Sequence, residues 1–397
     1  MGKIKVLVLS MDMDGVGNYR MNAPYLTIHD DGLDIDLKTT TDNTVNILDE
    51  NYIKRYQIIV HHKSYPVMNE QQLITYMGLI KKFDIKLIFD IDDYWILDHT
   101  HINYKKWIKS GSKDKVESYL KMADYVTTTT PILADEIKHV NPNVEVFENA
   151  VNHKEQQWIP NKSTSDKTRF IWGGGITHLP DLKLLIPSIE QFNKKDLNEI
   201  QMVMCGFDMR MTSNTKILKD DPNRSMWGKF EDIFTNKLKW IKNHDYRNWL
   251  KEYTDIKRDL YGYNDQYKSE FYQRRWTKPI LLYGTMYNEA DVALAPLKAT
   301  QFNKMKSQLK VLEAGAHKMP IIASNFGAYQ LDIIDGKHGF LINESDKRGW
   351  YDKIRYFIDN PNAVEDMGNE LHSLIMEKYT LEKINNKRIE FLKRIIN

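Results

Sequence analysis

The chain has 397 residues, of which 42% are hydrophobic and 28% charged, and its formal net charge is +2. This length exceeds one ordinary hydrophobic core, so two domains are expected. The near-neutral charge excludes a global basic field for nucleic acid or anionic lipid, and the single cysteine excludes an internal disulfide.

Short β-branched runs alternate with amphipathic runs in the N-terminal part of the chain. The predicted strands are residues 4–10, 33–39, 56–62, 85–91, 123–130 and 144–150, and the predicted helices include 69–83 and 114–123. This alternation predicts a parallel sheet with helices on both faces. Residues 1–152 are therefore expected to form a Rossmann-like domain.

A polar stretch at residues 153–168 predicts a linker, and the same α/β pattern restarts after it. The predicted strands are residues 169–175, 200–206, 290–296, 320–325 and 338–343, with helices at 180–194 and 306–318. Residues 169–375 form a second predicted Rossmann-like domain, and the amphipathic helix at 376–397 is expected to pack back towards the first. Because ligands bind beyond the carboxyl ends of open parallel sheets, the site is expected in the cleft between the domains.

Residues 207–276 interrupt the second half and are dense in aromatic and basic side chains. We interpret them as a helical insertion with an aromatic core of its own. The alternative is a platform for the acceptor, because aromatic and basic side chains suit bases and sugar rings. Its candidate residues are Trp227, Arg247, Arg274 and Arg275.

The stretch KMKSQLKVLEAGAHK, residues 304–318, has the features of a phosphate-binding helix start. Ser307 is the predicted N-cap, and the free N–H groups and dipole of a helix N-terminus favour phosphate. Lys306 adds a positive charge, and Glu313 is placed to accept hydrogen bonds from a diol such as a ribose.

This stretch resembles the nucleotide-sugar signature of family 4 glycosyltransferases of the GT-B fold, which has two glutamates eight positions apart. Glu313 matches the second glutamate, which in the family contacts the nucleotide ribose, whereas Met305 stands where the first belongs. The segment ADYVTTTTPILADEI resembles the end of the family's first domain, and WGGGITHLPDL and YNEADVALAPL are similar to a bacterial and phage branch of the family. The resemblance covers most of the chain outside residues 207–276 and implies two Rossmann-like domains facing across a cleft.

The candidate donor-binding residues combine this resemblance with the glycine-containing turns. They are Gly15, Gly17, Arg20, Gly173, Gly174, Gly175, His178, Ser307, Leu309 and Glu313. In the related branch the residues matching Gly15 and Gly17 line the cleft, and Arg20 is expected to face phosphate or acceptor. A plain strand-to-helix turn is the alternative for Arg20.

The candidate catalytic residues are His62, Asp92 and Lys306. His62 ends a predicted strand, where a histidine is placed to touch a substrate. The sequence DIDDYW also ends a strand and offers oxygens that suit a hard cation. The resemblance instead matches it to a GT-B segment that requires no metal, so we predict no metal and no cofactor.

These features together predict a glycosyltransferase that moves a sugar from a nucleoside diphosphate sugar to a hydroxyl acceptor. The resemblance implies retention of configuration and a lipid or glycan acceptor. Two alternatives remain: transfer to a hydroxymethylated base of phage DNA, and a non-catalytic sugar-nucleotide binding protein, which Met305 suggests. With no stretch near the roughly 20 apolar residues of a membrane span, the expected location is the cytoplasm of a bacterium, or of a host cell if the protein is phage-encoded.

Overall fold

A computed structural model describes residues 2–42, 44–63, 65–206, 229–230, 233–234, 271–275 and 278–396. The described strands form two six-stranded sheets. The first sheet contains β1 Ile4–Ser10, β2 Leu33–Thr39, β3 Ile58–His62, β4 Lys86–Asp90, β5 Tyr125–Thr128 and β6 Val144–Val146. The second contains β7 Thr168–Gly173, β8 Ile200–Cys205, β9 Tyr272–Arg275, β10 Val292–Ala295, β11 Ile321–Ser324 and β12 Gly339–Ile342.

Helices follow most of these strands. Those of the N-terminal part are α1 Gly15–Gly17, α2 Ala23–Leu26, α3 Glu50–Ile53, α4 Glu70–Lys82, α5 Tyr104–Lys109, α6 Ser112–Met122 and α7 Pro131–Ile137. The later described helices are α8 Leu179–Leu182, α9 Ile186–Ile189, α10 Lys194–Glu199, α11 Gln301–Lys304, α12 Leu309–Ala316, α13 Gly349–Asp359, α14 Asn362–Lys378 and α15 Leu381–Arg394.

Every neighbouring strand pair in the two sheets is parallel. The strand orders are β2-β1-β3-β4-β5-β6 and β12-β11-β10-β7-β8-β9. Each sheet is an open, doubly wound α/β sheet, so the predicted fold class is confirmed. The carboxyl ends of the strands define one edge of each sheet, which is where such sheets bind ligands.

The chain divides into two compact units. The first unit comprises Met1–Asn152, Thr300–Leu309 and Lys378–Asn397, and the second comprises His153–Ala299 and Lys310–Glu377. Helix α15 buries Ile384, Phe391 and Leu392 in the first unit, in the same cluster as Val6 and Val8 of β1. Apolar residues on one face of this helix therefore complete the core of the first sheet.

The segment Thr300–Leu309 lies in the first unit although the second unit flanks it in sequence. Phe302 and Met305 are buried in one cluster with Tyr94 and Trp95. Met305 is only 2% exposed, so an apolar core residue lies at the position where the sequence resemblance would place a glutamate.

The core of the second unit includes residues of the segment predicted as an insertion. Phe230, Phe234 and Phe271 are buried in the main cluster of the unit. Residues 272–275 form β9, which pairs with β8. The predicted insertion boundary at residue 276 is therefore wrong, because the end of the segment belongs to the sheet.

The predicted continuous helix at residues 180–194 is interrupted. Helix α8 ends at Leu182, a 3₁₀ turn spans Lys183–Leu185, and α9 begins at Ile186. Pro187 lies at the start of α9 and lacks the N–H that a continuous helix would require there. The apolar periodicity identified the buried face, but the proline divides the helix.

A buried arginine forms hydrogen bonds with groups at the carboxyl edge of the first sheet. Arg20 and Asp90 form a two-point ion pair, with Nε to Oδ1 at 3.1 Å and Nη2 to Oδ2 at 2.7 Å. Its other N–H groups donate to the Phe147 and Thr128 carbonyls and to Asn149 Oδ1. A guanidinium has five N–H groups, and each has an acceptor here. Arg20 therefore joins the turn after β1 to the ends of β4, β5 and β6.

We predict that Arg20→Met lowers the free energy of unfolding by about 3–5 kcal/mol, because it leaves the buried Asp90 carboxylate without its cation. The matched control is Lys82→Met, which removes the exposed Lys82–Glu50 pair and is expected to cost about 0–1 kcal/mol. Urea denaturation monitored by fluorescence measures both variants. Equal losses in the two would show that Arg20 does not hold the sheet edge.

Candidate functional site

Four polar side chains of the second unit form a connected group, here named the Lys310–Glu313 cluster. Glu313 is 1% exposed, and its Oε2 accepts hydrogen bonds from Tyr287 Oη at 2.6 Å and Lys310 Nζ at 2.8 Å. Lys310 Nζ also donates to Tyr283 Oη at 2.9 Å. The lysine and glutamate are three residues apart on α12, a spacing that puts them on one helix face.

The electrostatics of this cluster fix its protonation states. Burial alone would lower the pKa of Lys310, but the charge of Glu313 raises it above its ordinary value. Burial raises the pKa of Tyr283 to about 12. At neutral pH the ammonium therefore keeps its charge and the phenol keeps its proton.

The predicted glycine loop lies against this cluster. A Cβ at Gly173, the last residue of β7, would be 2.8 Å from Met286 Cε and 3.6 Å from Tyr283 Oη. A Cβ at Gly174 would be 2.6 Å from the Trp172 ring, whereas one at Gly175 meets nothing within 4 Å. Gly173 is thus connected to Glu313 through Tyr283 and then Lys310.

A second pair of polar residues follows the glycine loop. His178 Nδ1 lies 2.8 Å from Asp181 Oδ2, and Asp181 Oδ1 accepts a hydrogen bond from the Lys298 backbone N–H at 2.8 Å. Burial raises the pKa of Tyr329, on which Lys310, Asp181 and Glu313 also act electrostatically. Asp181 therefore connects His178 to the backbone that follows β10.

The predicted N-cap role of Ser307 is wrong. Helix α12 begins two residues later, at Leu309. The Ser307 hydroxyl accepts a hydrogen bond from Asn149 Nδ2 at 2.9 Å. Lys306 belongs to the first unit, with its Nζ 5.1 Å from the Phe302 ring centroid.

The phosphate-facing role predicted for Arg20 is also wrong, because protein acceptors bind all its N–H groups. The two glycines beside it differ. Gly15 has a φ of +48°, a left-handed conformation that favours glycine, and open space where a Cβ would be. A Cβ at Gly17 would lie 2.3 Å from Asp12 Oδ1, so this position needs close backbone approach.

The predicted catalytic residues His62 and Asp92 lie in the first unit. His62 is fully buried, and its Nδ1 accepts a hydrogen bond from the Met11 N–H at 3.3 Å. Asp92 Oδ1 is 2.9 Å from Lys63 Nζ. Asp92 therefore faces a cation, as Asp90 does, and no group of three His, Cys, Asp or Glu residues within the described ranges is arranged to hold a metal.

The predicted acceptor residues are described only in part. Trp227 and Arg247 lie outside the described residues. Arg274 is in β9, and Arg275, the last residue of that strand, has Nη2 2.8 Å from Glu289 Oε2.

Sequence reasoning missed Lys310, Tyr283 and Tyr287. For Lys310 a signal existed, since a residue three positions before Glu313 lies on the same helix face. For the tyrosines no local pattern would serve, because Tyr287 meets Glu313 across 26 positions of sequence.

Residues 250–360 match the family described as Glycosyl transferases group 1. The D-inositol 3-phosphate glycosyltransferase of Paenarthrobacter aurescens (strain TC1) is 32% identical to this chain over 82 residues. That match spans 21% of this chain and 19% of the relative. The four residues of the Lys310–Glu313 cluster lie in the family segment.

Solved structures resemble the whole chain. They include the sucrose-phosphate synthase of Thermosynechococcus elongatus, with a TM-score of 0.64, 13% identity and 99% coverage of both chains. A glycosyltransferase from Rickettsia africae ESF-5 has a TM-score of 0.61, 13% identity and complete coverage of both chains. Anabaena HepE in complex with UDP and glucose has a TM-score of 0.58 and 10% identity, and the match covers 98% of this chain and 100% of that chain. The fold is that of GT-B glycosyltransferases, as predicted.

None of the helices in the described ranges combines the length and the apolar character needed to cross a membrane.

His317 packs against Tyr287 of the Lys310–Glu313 cluster. It lies one turn after Glu313, with its ring stacked on Tyr287 at a centroid distance of 5.4 Å and edge-on to Trp158 at 5.8 Å. Burial lowers the pKa of His317 to about 4. It is therefore a neutral packing residue at pH 7.

This shift predicts acid sensitivity with a definite sign. The folded-state pKa lies below the unfolded value of about 6.5, so between these values the unfolded chain binds a proton that the folded chain does not. The stability contribution is therefore lost as pH falls from about 6.5 towards 4. His317→Phe keeps an aromatic ring at this position. It is expected to reduce the slope of the free energy of unfolding against pH by up to about 1.4 kcal/mol per pH unit.

Urea denaturation across this pH range measures the slope. Some dependence should remain in the variant, because burial also lowers the pKa of His61 to about 4. A slope identical to that of the original protein would contradict the assignment of a neutral buried His317.

Proposed function

We propose that this chain is a glycosyltransferase that takes a sugar from a nucleoside diphosphate sugar and passes it to an acceptor hydroxyl. We further propose that the nucleotide binds at the Lys310–Glu313 cluster. The observation that carries the proposal is the buried Glu313 carboxylate, held by Lys310 and Tyr287 on a helix of the second sheet. The family segment contains this cluster, and HepE, a protein of similar fold, is described in complex with UDP and glucose.

The chemistry of the cluster suits such a donor. A ribose diol offers hydroxyl donors to the Glu313 carboxylate, and a charged Lys310 beside it favours an anionic ligand. As the bond to the sugar breaks, negative charge grows on the departing diphosphate, and fixed positive charge stabilises that transition state. A side chain at position 173 would collide with Met286. Because Gly173 has none, its backbone can lie close to a ligand.

Three finer points are proposals, and the first two rest on the sequence resemblance. Transfer is proposed to retain the anomeric configuration, the acceptor to be a lipid or glycan hydroxyl, and the place of action to be the cytoplasm. A non-catalytic binding protein is the competing function. Hydrolysis or transfer of a bound nucleotide sugar by the purified protein would exclude it, and NMR of the product anomer would test retention.

We predict that Glu313→Ala weakens UDP binding by about 1.5–3 kcal/mol, as expected for the loss of a charge-assisted hydrogen bond. Isothermal titration calorimetry measures the affinity. The matched control is Glu370→Ala in the same unit, whose exposed side chain pairs with Lys337 and should not affect UDP. An unchanged affinity in the Glu313 variant, with the fold intact by circular dichroism, would contradict the proposed nucleotide site.

We also predict that turnover survives EDTA, since Asp90 and Asp92 each face a cation of the protein. The measurement is release of UDP from the nucleotide sugar that gives the largest thermal shift in a panel, before and after chelation. Activity that EDTA abolishes and Mn²⁺ restores would instead assign Asp90, Asp92 and Asp93 as metal ligands.

A further inference from the structure

Helix α5 of the first unit turns one side into the core and the opposite side to solvent. Trp107 is half-buried, its Nε1–H donates to the Trp95 carbonyl at 3.0 Å, and its ring packs against the cluster that contains Trp95. Because an α-helix turns by about 100° per residue, Lys105 and Lys109 point away from Trp107. Both lysines are exposed, and so is Lys106 beside them.

Two isoleucines lie among these lysines. Ile102, in the turn that leads into α5, is 53% exposed, and Ile108 is 55% exposed. Isoleucine is ordinarily among the most buried residues. Residues three and four positions apart are neighbours on a helix, so Ile108 lies beside Lys105, and Ile102 lies one turn before it. Ile102, Lys105, Lys106, Ile108 and Lys109 are here named the α5 surface, an exposed face formed by a single short segment.

Positive charge is concentrated at the α5 surface. Residues 99–113 contain four lysines and no aspartate or glutamate, whereas the whole chain has a net charge of only +2. Lys113 pairs with Glu117 at 3.3 Å. Within the described ranges, the three lysines of the α5 surface pair with no carboxylate. Their charges are therefore available to a partner outside the chain.

The α5 surface lies on the carboxyl side of the first sheet. The chain enters the segment from the end of β4 at Asp90, and α6 then returns it to the start of β5. The Asp124 N–H after α6 donates to the Leu87 carbonyl near the start of β4 at 2.9 Å, so α6 ends at the amino side and begins at the carboxyl side. Helix α5 directly precedes α6, and the carboxyl side is where open parallel sheets bind ligands.

The side chains of the α5 surface suit a lipid surface better than a nucleic acid. Lysines attract the phosphates of either partner, but isoleucines suit the boundary between lipid head groups and acyl chains. Single-stranded nucleic acids instead stack their bases on aromatic rings and arginines. The α5 surface has neither, since Trp107 is turned inward. Lysine stems also cover apolar surface while their ammonium groups remain in water.

We propose that the α5 surface binds the face of a membrane that contains anionic lipids. Lys105, Lys106 and Lys109 lie against the head-group phosphates, and Ile102 and Ile108 insert between the head groups. The protein then lies on the bilayer and does not cross it. The role of this binding rests on the proposed function: it brings the carboxyl side of the first sheet to an acceptor hydroxyl carried by a lipid.

The test is co-sedimentation of the full chain with vesicles of equal parts phosphatidylglycerol and phosphatidylcholine, and with vesicles of phosphatidylcholine alone. Only the anionic vesicles should bind the protein. Raising the salt from about 0.1 M to about 1 M should weaken this binding, because the screening length falls from about 10 Å to about 3 Å. No binding to the anionic vesicles, or equal binding to both kinds, would overturn the proposal.

Paired lysine variants locate the binding surface. Lys105→Gln/Lys109→Gln should lower partition onto the anionic vesicles roughly 30-fold, since each lysine near such a surface contributes about fivefold. The matched control is Lys81→Gln/Lys82→Gln, which removes the same charge from exposed positions at the end of α4, next to the amino end of β4. The control should bind as the original protein does. Equal losses in the two variants would show that binding follows net charge, and would overturn the assignment to the α5 surface.

The isoleucines distinguish a membrane from a nucleic acid. Ile102→Ser/Ile108→Ser should lower vesicle binding roughly tenfold, because less apolar surface enters the bilayer. Ile334→Ser, a control in the second unit with 57% exposure, should leave it unchanged. Unchanged binding in the double variant would contradict insertion. Retention on single-stranded DNA by the original protein, lost in the lysine variant and without vesicle binding, would assign the surface to a nucleic acid instead.

UDP calorimetry on the same samples distinguishes failure of this inference from failure of the proposed function. The lysine variant should bind UDP as the original protein does, because the Lys310–Glu313 cluster belongs to the second unit. Vesicle binding without UDP binding would support the membrane surface and overturn its role in presenting an acceptor. UDP binding without vesicle binding would support the nucleotide site and overturn the membrane surface.

Discussion

The buried Arg20–Asp90 ion pair is the interaction on which the functional edge of the first sheet depends. The two side chains are 0% and 3% exposed. A buried pair of charges is tolerated only where further hydrogen bonds satisfy both partners. Arg20 obtains them from the ends of β5 and β6, and Asp90 from Thr127. The requirement for complete satisfaction therefore fixes four chain segments at one place.

That constraint extends outward from the pair. Asn149 accepts from Arg20 at 3.3 Å and donates to Ser307 at 2.9 Å. Ser307 lies in the segment Thr300–Leu309, which Phe302 and Met305 anchor by apolar packing. The residues directly before α12 are thus held by polar and apolar contacts within the first unit, and this requires an apolar residue at position 305.

The second unit has a different kind of ion pair. Lys310 and Glu313 also lie together, but the lysine side chain is 25% exposed, and tyrosines share the bonding. Arg20 has no N–H group left for a ligand, whereas Lys310 keeps exposed surface. An oppositely charged pair thus stabilises the fold in the first unit, whereas the pair in the second unit is suited to recognition. The difference is the number of acceptors that the fold supplies to the cation.

Alternating patterns in the sequence by themselves determined the two parallel sheets, because side-chain periodicity reports which face of a strand or helix is buried. The sequence also indicates Glu313 through its resemblance to the nucleotide-sugar signature, and the glycine loop and His62 because strand ends are where such sheets bind ligands. It did not determine what those groups contact. The sequence predicts that Arg20 faces phosphate or acceptor, that Ser307 caps a helix, and that residues 272–275 belong to an insertion. Only the tertiary structure decided these points, because the hydrogen-bond partners of the Arg20 guanidinium and the Ser307 hydroxyl come from segments over a hundred residues away, and no local pattern records which groups meet.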